Sequence, residues 1–480
     1  MPVTPTRAQW RAGLAAWQVL AATSLGPLAL QWHRAVRLQA LFQVARASPV
    51  YAERLDSAHG VHEHMRPVGK RELMARFDEW VTDPGIRLAE LRRFLADPAN
   101  IGKPFAGRWY AWESSGSSGV PGIFVQDAAA MEIYDALEAL RRPPSWQRWL
   151  DPLYANERIA FVGAIDGHFA SIVSFERIRR EVPGMARRMR AFSFLQPIQS
   201  LAVELQDWQP TVLATYPSTA VMLAAEAAAG RMRLPLAETW TGGEALGRTA
   251  RAAISRGFGC PVLESYGASE FLALAAECPA GRLHLNEDWA ILECVDEHHR
   301  PVPRGEVGAT TLLTNLANHV QPIIRYDISD RVRIAAAPCA CGSLLPTIEV
   351  EGRVDDTLTL LTREGREVPL LPLALATVLE EEGGICDFQL VCRGPRSLQL
   401  AVPVTLDAPA ARNAREAMMR YLESLGLAGV RVRVVRRGAM VQGRSGKRPR
   451  ILNRPREPDR DASRDHRGSG LPEQPDQPHR

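Results

Sequence analysis

Cysteine is scarce, with seven in 480 residues. An odd and small number in so long a chain excludes a disulfide framework and predicts a reducing, cytoplasmic setting. No Gly-Lys-Ser/Thr closes the glycine-rich stretch of the chain, which excludes a Walker phosphate loop. No internal repeat is visible. A long uninterrupted apolar run is also missing. Ala12 to Trp32 carries no formal charge, but Gln18, Thr23, Ser24, Gly26, Pro27 and Gln31 interrupt it. Its Leu and Trp positions repeat at helical spacing, predicting two packed helices and no membrane span. Acidic residues are absent from Arg431 to Arg456, where ten Arg and Lys stand, although the whole chain nets only +4. With no aromatic residues interleaved, this run gives no support to nucleic-acid binding. It suits a solvated face or attraction to phosphates or to an acidic protein partner.

What is present is ordinary for a large folded protein: 46% hydrophobic and 23% charged residues, enough for a sizeable core and more than one domain. Residues 1–100 read as helical, with apolar residues at i, i+3 and i+4 from Trp32 to Ala47 and from Lys70 to Phe77. Trp10, Trp17 and Trp80 are expected in the core. Beyond residue 100, helical pattern (Ala128 to Leu140) alternates with short apolar runs, Ile159 to Val162 and Val212 to Thr215. That alternation predicts an α/β architecture. Leu358 to Leu361, Leu398 to Val402 and Ala411 to Leu425 read as short strands and a helix of a smaller unit. From Pro455 the chain has almost no aliphatic residues, and disorder is expected.

Against this background one stretch is unusual: Ser114-Ser115-Gly116-Ser117-Ser118-Gly119, preceded by Tyr110 and Trp112 and followed by Pro121 and Ile123-Phe124-Val125. Glycines let successive N–H groups converge, and serine hydroxyls add donors, which suits a polyphosphate; a mobile turn is the plainer alternative. Four further segments follow: Ala214 to Ser218 with Thr241-Gly242-Gly243-Glu244; Tyr266-Gly267-Ala268-Ser269-Glu270; Arg325 to Asp330; and Gly352-Arg353-Val354-Asp355-Asp356.

Together and in this order these segments resemble the phenylacetate-CoA ligase branch of the adenylate-forming superfamily. The loop is similar to its Ser-Ser-Gly-Thr-Thr-Gly motif, Tyr266 to Glu270 to Tyr-Gly-x-Ser/Thr-Glu, and Arg325 to Asp330 to Arg-Tyr-Arg-Thr-Gly-Asp. Gly352 to Asp356 resembles the Gly-Arg-x-Asp-Asp hinge, and Arg444-Ser445-Gly446-Lys447 the closing Gly-Lys motif. Val120 stands where the family has a lysine, and Asp327-Ile328-Ser329 replaces Arg-Thr-Gly.

The resemblance implies a large multi-sheet α/β domain followed by a small α+β domain, divided as 1–100 (helical region), 101–352 (nucleotide- and acid-binding core), 353–454 (mobile small domain) and a disordered tail, 455–480. It implies ATP- and Mg²⁺-dependent activation of a small carboxylic acid, aromatic by expectation, with transfer to coenzyme A. The phosphopantetheine of an acidic acyl carrier protein is the alternative acceptor. A non-catalytic nucleotide-binding or zinc-containing interaction protein is the alternative of another class.

In this reading the loop holds the β- and γ-phosphates, Gly242, Gly243 and Glu244 wall the adenine, and Tyr266 stacks on it, with Gly267 and Ser269 beside it. Glu270 reaches Mg²⁺, Asp330 accepts from the ribose hydroxyls, and Arg353 assists at the ribose or α-phosphate. Asp355 is the hinge and Lys447 the cation between carboxylate and α-phosphate. His168, Phe169 and Tyr216 would suit the acid pocket, though each could equally be core. Separately, Cys278, His284, Cys339 and Cys341 offer three thiolates and an imidazole, the ligand set of a closed structural zinc site; unrelated buried cysteines are the alternative. Cys260, Cys294, Cys386 and Cys392 read as small core residues.

Overall fold

The computed structural model describes residues 7–114, 122–143, 157–353, 358–370, 372–437 and 450–453. Its N-terminus is a helical hairpin, α1 (Arg7–Ser24) and α2 (Pro27–Ala45), turned at Gly26, where φ is +92°. The two helices expected from the uncharged stretch are therefore present, and among the described residues no helix is long and apolar enough to cross a membrane. Two details differ from expectation. Trp80 is core, 1% exposed, but Trp10 and Trp17 are 67% and 61% exposed. Helix α1 buries its small residues, Ala15, Val19 and Ala22, and its bulky ones face out. The predicted helix Lys70 to Phe77 breaks at Arg76, which leaves the helical region (φ −119°, ψ 36°) and binds Glu53 through two 2.9 Å hydrogen bonds.

Strands β1 (Trp109–Glu113) and β2 (Ile123–Asp127) form an antiparallel hairpin that carries the glycine-serine loop between them. The central sheet has nine strands among the described residues. Five are parallel: β3 (Ile159–Gly163), β4 (Met189–Ser193), β5 (Val212–Thr215), β6 (Glu238–Gly242) and β7 (Val262–Ala268), in the spatial order 7-6-5-3-4. Parallel strands are covered on both faces, so they read as continuous apolar runs, and β3 is buried at every position.

The other four strands continue antiparallel: β8 (Phe271–Glu277), β9 (Leu283–Leu285), β13 (Asp330–Ile334) and β14 (Thr347–Arg353). Between them in sequence, β10 (Ala290–Val295), β11 (Thr310–Asn315) and β12 (Tyr326–Asp327) make a separate three-stranded sheet. Most of these elements share one apolar cluster running from Ala15 to Ile348.

A second cluster, from Leu358 to Ile451, shares no residue with the first. It belongs to a smaller C-terminal unit. There β15 (Leu358–Leu361) pairs with β16 (Glu367–Leu370), and β17 (Gln389–Gly394), β18 (Ser397–Pro403), β19 (Arg431–Arg437) and β20 (Ile451–Asn453) form a sheet in the order 19-18-17-20. Helix Ala408–Ser424 packs on it, capped by the Asp407 carboxylate, which accepts from Ala410 N at 2.7 Å. The unit abuts the large one at Gly247, where a Cβ would collide with the Glu380 carboxylate.

Candidate nucleotide site and thiol cluster

Strand order decides where a site can form. The chain leaves β3 for β4 on one side and returns to β5 on the other, so the connections diverge at the carboxyl ends of β3 and β5. Such a divergence opens a crevice, the usual place for a ligand in an open parallel sheet. Four of the predicted segments end up along this edge: Gly163 to Phe169 after β3, Tyr216 after β5, Gly242 to Glu244 after β6, and Tyr266 to Glu270 at the end of β7. Adjacent ends are tied together. The Glu244 carboxylate accepts from Ser218 N at 3.1 Å, serving one of the N–H groups that the first turn of helix Pro217–Ala228 leaves without an intrahelical partner.

The hairpin that carries the glycine-serine loop leans on the same edge. Glu113 N donates to the His168 carbonyl at 2.7 Å, and Trp112 Nε1 donates to the Ser269 carbonyl at 2.9 Å. Ser114 closes the base of the loop twice: its N–H donates to Gly122 O, and its Oγ accepts from Gly122 N, both at 2.8 Å. Of the loop residues, Ser115, Gly116, Ser117, Ser118 and Gly119 lie outside the described residues, as do Asp355 and Lys447.

On the other side of β7, the Tyr266 hydroxyl donates to Asp330 Oδ2 at 2.5 Å. Asp330 stands directly opposite Arg353 in the β13–β14 ladder. Three predicted residues from three segments thus meet at one place. Glu270 is fixed nearby through its carbonyl, which accepts from Asn315 Nδ2 at 2.8 Å. Two of the glycines of this edge have different causes. Gly243 has φ +77°, which glycine adopts at no steric cost. Gly267 sits in the bulge between β7 and β8, and a Cβ there would lie 2.0 Å from the Leu272 carbonyl. Hairpin packing alone requires it.

Where the resembled family has glycine, Ser329 takes φ +58°. The turn is held by the Asp327 carboxylate, which accepts from Ser329 N at 2.8 Å and Thr310 Oγ1 at 2.6 Å. Arg325 is buried and donates to the Glu63 and Met65 carbonyls and to the Glu293 carboxylate. Its role is to anchor the helical region.

The residues expected around the acid are all at least partly buried. Tyr216 packs edge-on against Phe194, with its hydroxyl pushed up to about 12 by burial first and by Glu244 second. The His168 ring lies 5.9 Å from Phe94; burial pushes it below its ordinary range, and the Asn100 and Leu95 carbonyls oppose that shift. Phe169 packs against both apolar layers that meet there.

Lys70 was not legible as a site residue. It opens helix Lys70–Ala75, and a Cβ built on Gly122 would meet its Cδ at 3.0 Å, so its stem lies over the base of the glycine-serine loop. The same segment is stitched to the Asp330 motif: Val68 N donates to Arg325 O at 3.1 Å, and Val68 O accepts from Asp327 N at 2.9 Å. One signal was available in the sequence. Among 58 basic residues only three are lysine.

At the antiparallel end of the sheet, Cys278, His284, Cys339 and Cys341 place all four ligand atoms within 4.8 Å of one another. Cys278 and Cys339 sulfurs are 3.9 Å apart, close to the ~3.8 Å edge of a tetrahedron with zinc–sulfur bonds of about 2.3 Å. His284 Nδ1 is 2.7 Å from the Leu345 carbonyl. A proton there donates to that oxygen and leaves Nε2, 3.3 Å from Cys341 Sγ, as the electron-pair donor. The Cys339–Cys341 turn is closed by Gly342 N donating to Cys339 O at 3.1 Å, with Gly342 at φ +81°. The donor set and spacing fit a tetrahedral zinc ion.

No protein-family model matches the sequence, and no curated protein matches it. Among solved structures the chain is similar to 2-hydroxyisobutyryl-CoA ligase in the postadenylation state in complex with 2-HIB-AMP (TM-score 0.63, 20% identity, 87% of this chain and 88% of that one). It is similar to the same ligase with 2-HIB-AMP and CoA in the thioesterification state (0.54, 19%, 90% and 91%). Anthranilate CoA ligase AuaEII with anthranoyl-AMP is more distant (0.51, 13%, 71% and 64%). At such identities the likeness establishes the fold. It is that of adenylate-forming enzymes, a large multi-sheet α/β domain followed by a smaller C-terminal one.

Proposed function

We propose that this protein uses ATP to convert a carboxylic acid, aromatic by preference, into an acyl-adenylate, and then passes the acyl group to the thiol of coenzyme A, in the manner of phenylacetate-CoA ligases. The single observation that carries this reading is the hydrogen bond from the Tyr266 hydroxyl to Asp330, which stands opposite Arg353 in the β13–β14 ladder, while Ser269, three residues beyond Tyr266, is tied to Trp112 on the strand that enters the glycine-serine loop. Asp330, as a carboxylate, accepts from both ribose hydroxyls without a donor conflict. Tyr266 orients it and offers its ring face to the adenine, with Gly242, Gly243 and Glu244 as the opposite wall. Ser114 to Gly119 receive the β- and γ-phosphates.

Lys70 supplies a cation at that loop, a role open because Val120 carries no charge. Glu270 would hold Mg²⁺, whose charge offsets that of the phosphates. Lys447 neutralises the carboxylate and α-phosphate as their bond forms and pyrophosphate departs. Asp355 is the hinge about which the small domain turns between the two half-reactions. His168, Phe169 and Tyr216 border the acid. Cys278, His284, Cys339 and Cys341 hold a structural zinc ion that fixes the end of the sheet and takes no part in the chemistry. Acid-dependent exchange of labelled pyrophosphate into ATP, over a panel of aryl and alkyl acids, tests the reaction. Absence of exchange with every acid would sink it.

A second acceptor is favoured by one feature of the small unit. Arg363, Arg415, Arg431 and Arg433 line an open groove of about 610 Å³ beside β19, and none of them forms an ion pair among the described residues. Unpaired arginines attract an anionic partner and speed its docking. The phosphopantetheine of an acidic carrier protein is therefore the alternative thiol, distinguished by comparing thioester formation with both acceptors at two salt concentrations.

A further inference from the structure

The N-terminal hairpin is packed inside out. Of the large apolar side chains exposed among the described residues, eight belong to it: Trp10, Leu14, Trp17, Leu20, Leu25, Leu28, Trp32 and Val36, between 44% and 81% exposed. Trp10, Leu14 and Trp17 follow at i, i+4 and i+7 on α1, and Leu28, Trp32 and Val36 at i, i+4 and i+8 on α2, so each helix carries an apolar stripe turned to solvent. Three half-exposed tryptophans and five aliphatic side chains amount to on the order of 800 Å² of surface, one partner's share of a standard interface. An ordinary monomer's largest apolar patch is smaller, about 300–600 Å².

Composition and charge say what covers it. The first 52 residues contain no Asp, Glu or Lys and five arginines, the depletion of charge with tryptophan and arginine retained that marks the core of a protein interface. Four of the arginines are already paired within the chain: Arg11 with Glu132 (3.1 Å), Arg34 with Glu287 (3.7 Å), Arg37 with Asp288 (3.6 Å) and Arg46 with Asp56 (3.0 Å). They are committed, and so poorly suited to gripping lipid phosphates, and their neutralised charge would not repel an identical surface. The chain's own C-terminal segment is unsuited as a cover. Residues 454–480 hold one aliphatic side chain larger than alanine that is not proline, Leu471.

We propose that this face pairs with the same face of a second copy of the chain, giving a two-fold homodimer built on α1 and α2. The inference is independent of the proposed reaction. It is tested on the full-length protein by light scattering and sedimentation over a concentration series, with the double variant W17Q/L28Q alongside. Glutamine is a good helix former and both positions are exposed, so the helices are retained; a melting curve within about 2 °C of wild type checks this.

Wild type is expected to be dimeric at micromolar concentration, and the variant's dissociation constant is expected to rise at least 100-fold. Wild type that stays monomeric at 50 µM overturns the proposal, and so does a variant that dimerises as tightly as wild type. Monomeric wild type that floats with phosphatidylglycerol vesicles would assign the face to lipid instead.

Discussion

The two halves of the central sheet do opposite things with the same backbone. In the parallel half, β3, β5, β6 and β7 end side by side, and each contributes a short segment to one edge, so loops far apart in sequence are held together by the ladder. In the antiparallel half, the turn after β8, the strand β9 and the loop before β14 fold onto one another, and four donor atoms close on a volume the size of one ion. An edge built from strand ends can admit and release a substrate. A knot of thiols and imidazole cannot, and so it suits a permanent structural ion. Damage to the first half is expected to cost activity while leaving stability, and damage to the second the reverse.

The largest effect is expected at the first. Lys447→Ala should lower adenylate formation 10²- to 10³-fold, the scale of losing one group that neutralises developing charge, and should spare thioester synthesis from a supplied adenylate. Equal loss of both half-reactions in a rapid-quench assay would contradict its role. Next is the second half. Cys341→Ser should release zinc, measured near one equivalent per wild-type chain by metal analysis, and destabilise the protein by about 3 kcal/mol, with the remaining adenylation rate near wild type below the melting transition. Zinc absent from wild type would remove the structural-ion reading.

Lys70 refines the first half. Lys70→Met should raise KM for ATP about 30-fold and weaken ATP binding in calorimetry by the same factor, leave AMP affinity unchanged, and be partly rescued by arginine. A uniform loss for ATP and AMP would mark Lys70 as merely structural.

How much of this was legible follows the range of the interactions. The strands β3 and β5 could be read because parallel strands bury both faces and so appear as unbroken apolar runs. Tyr266, Asp330 and Arg353 could be named from their segments. That a hydroxyl of one would meet the carboxylate of another was not readable, because it joins β7 to β13, strands that are not neighbours in the ladder. Lys70 was missed for the same reason: its neighbour, Gly122, is distant in sequence and reaches it only through the packing of helix Lys70–Ala75 beneath β2, where Ile123 N lies 3.4 Å from Met74 Sδ. Gly267 looked like a nucleotide contact and is required by the β7–β8 bulge. Trp10 and Trp17 looked like core because α1 is apolar nearly all round, and periodicity alone cannot say which stripe faces in.

The smallest predicted effect lies at the seam where the two halves join. Glu264 on β7 and Glu277 on β8 are bridged by Arg251, at 3.2 and 3.0 Å, and Glu264 N also donates to Glu277 Oε2 at 2.7 Å. Burial first, with Glu277 adding to it, pushes Glu264 up to about 7 from an ordinary 4.5, although Arg251 pulls the other way. The folded state therefore holds this proton more tightly than the unfolded chain does. Its contribution to stability is full below pH 4.5, declines as pH rises toward 7, and is gone above that. From pH 6 to pH 8 the loss is about 1 kcal/mol.

Glutamine keeps a hydrogen-bonding side chain at this position and cannot ionise, so the difference in unfolding free energy between wild type and Glu264→Gln, followed by urea titration across that range, should change by the same amount. Parallel curves for the two proteins would mean that Arg251 keeps Glu264 ionised and that the seam is an ordinary ion-pair network. A slope confined to wild type would show that the junction between the open edge and the closed knot carries a proton at neutral pH.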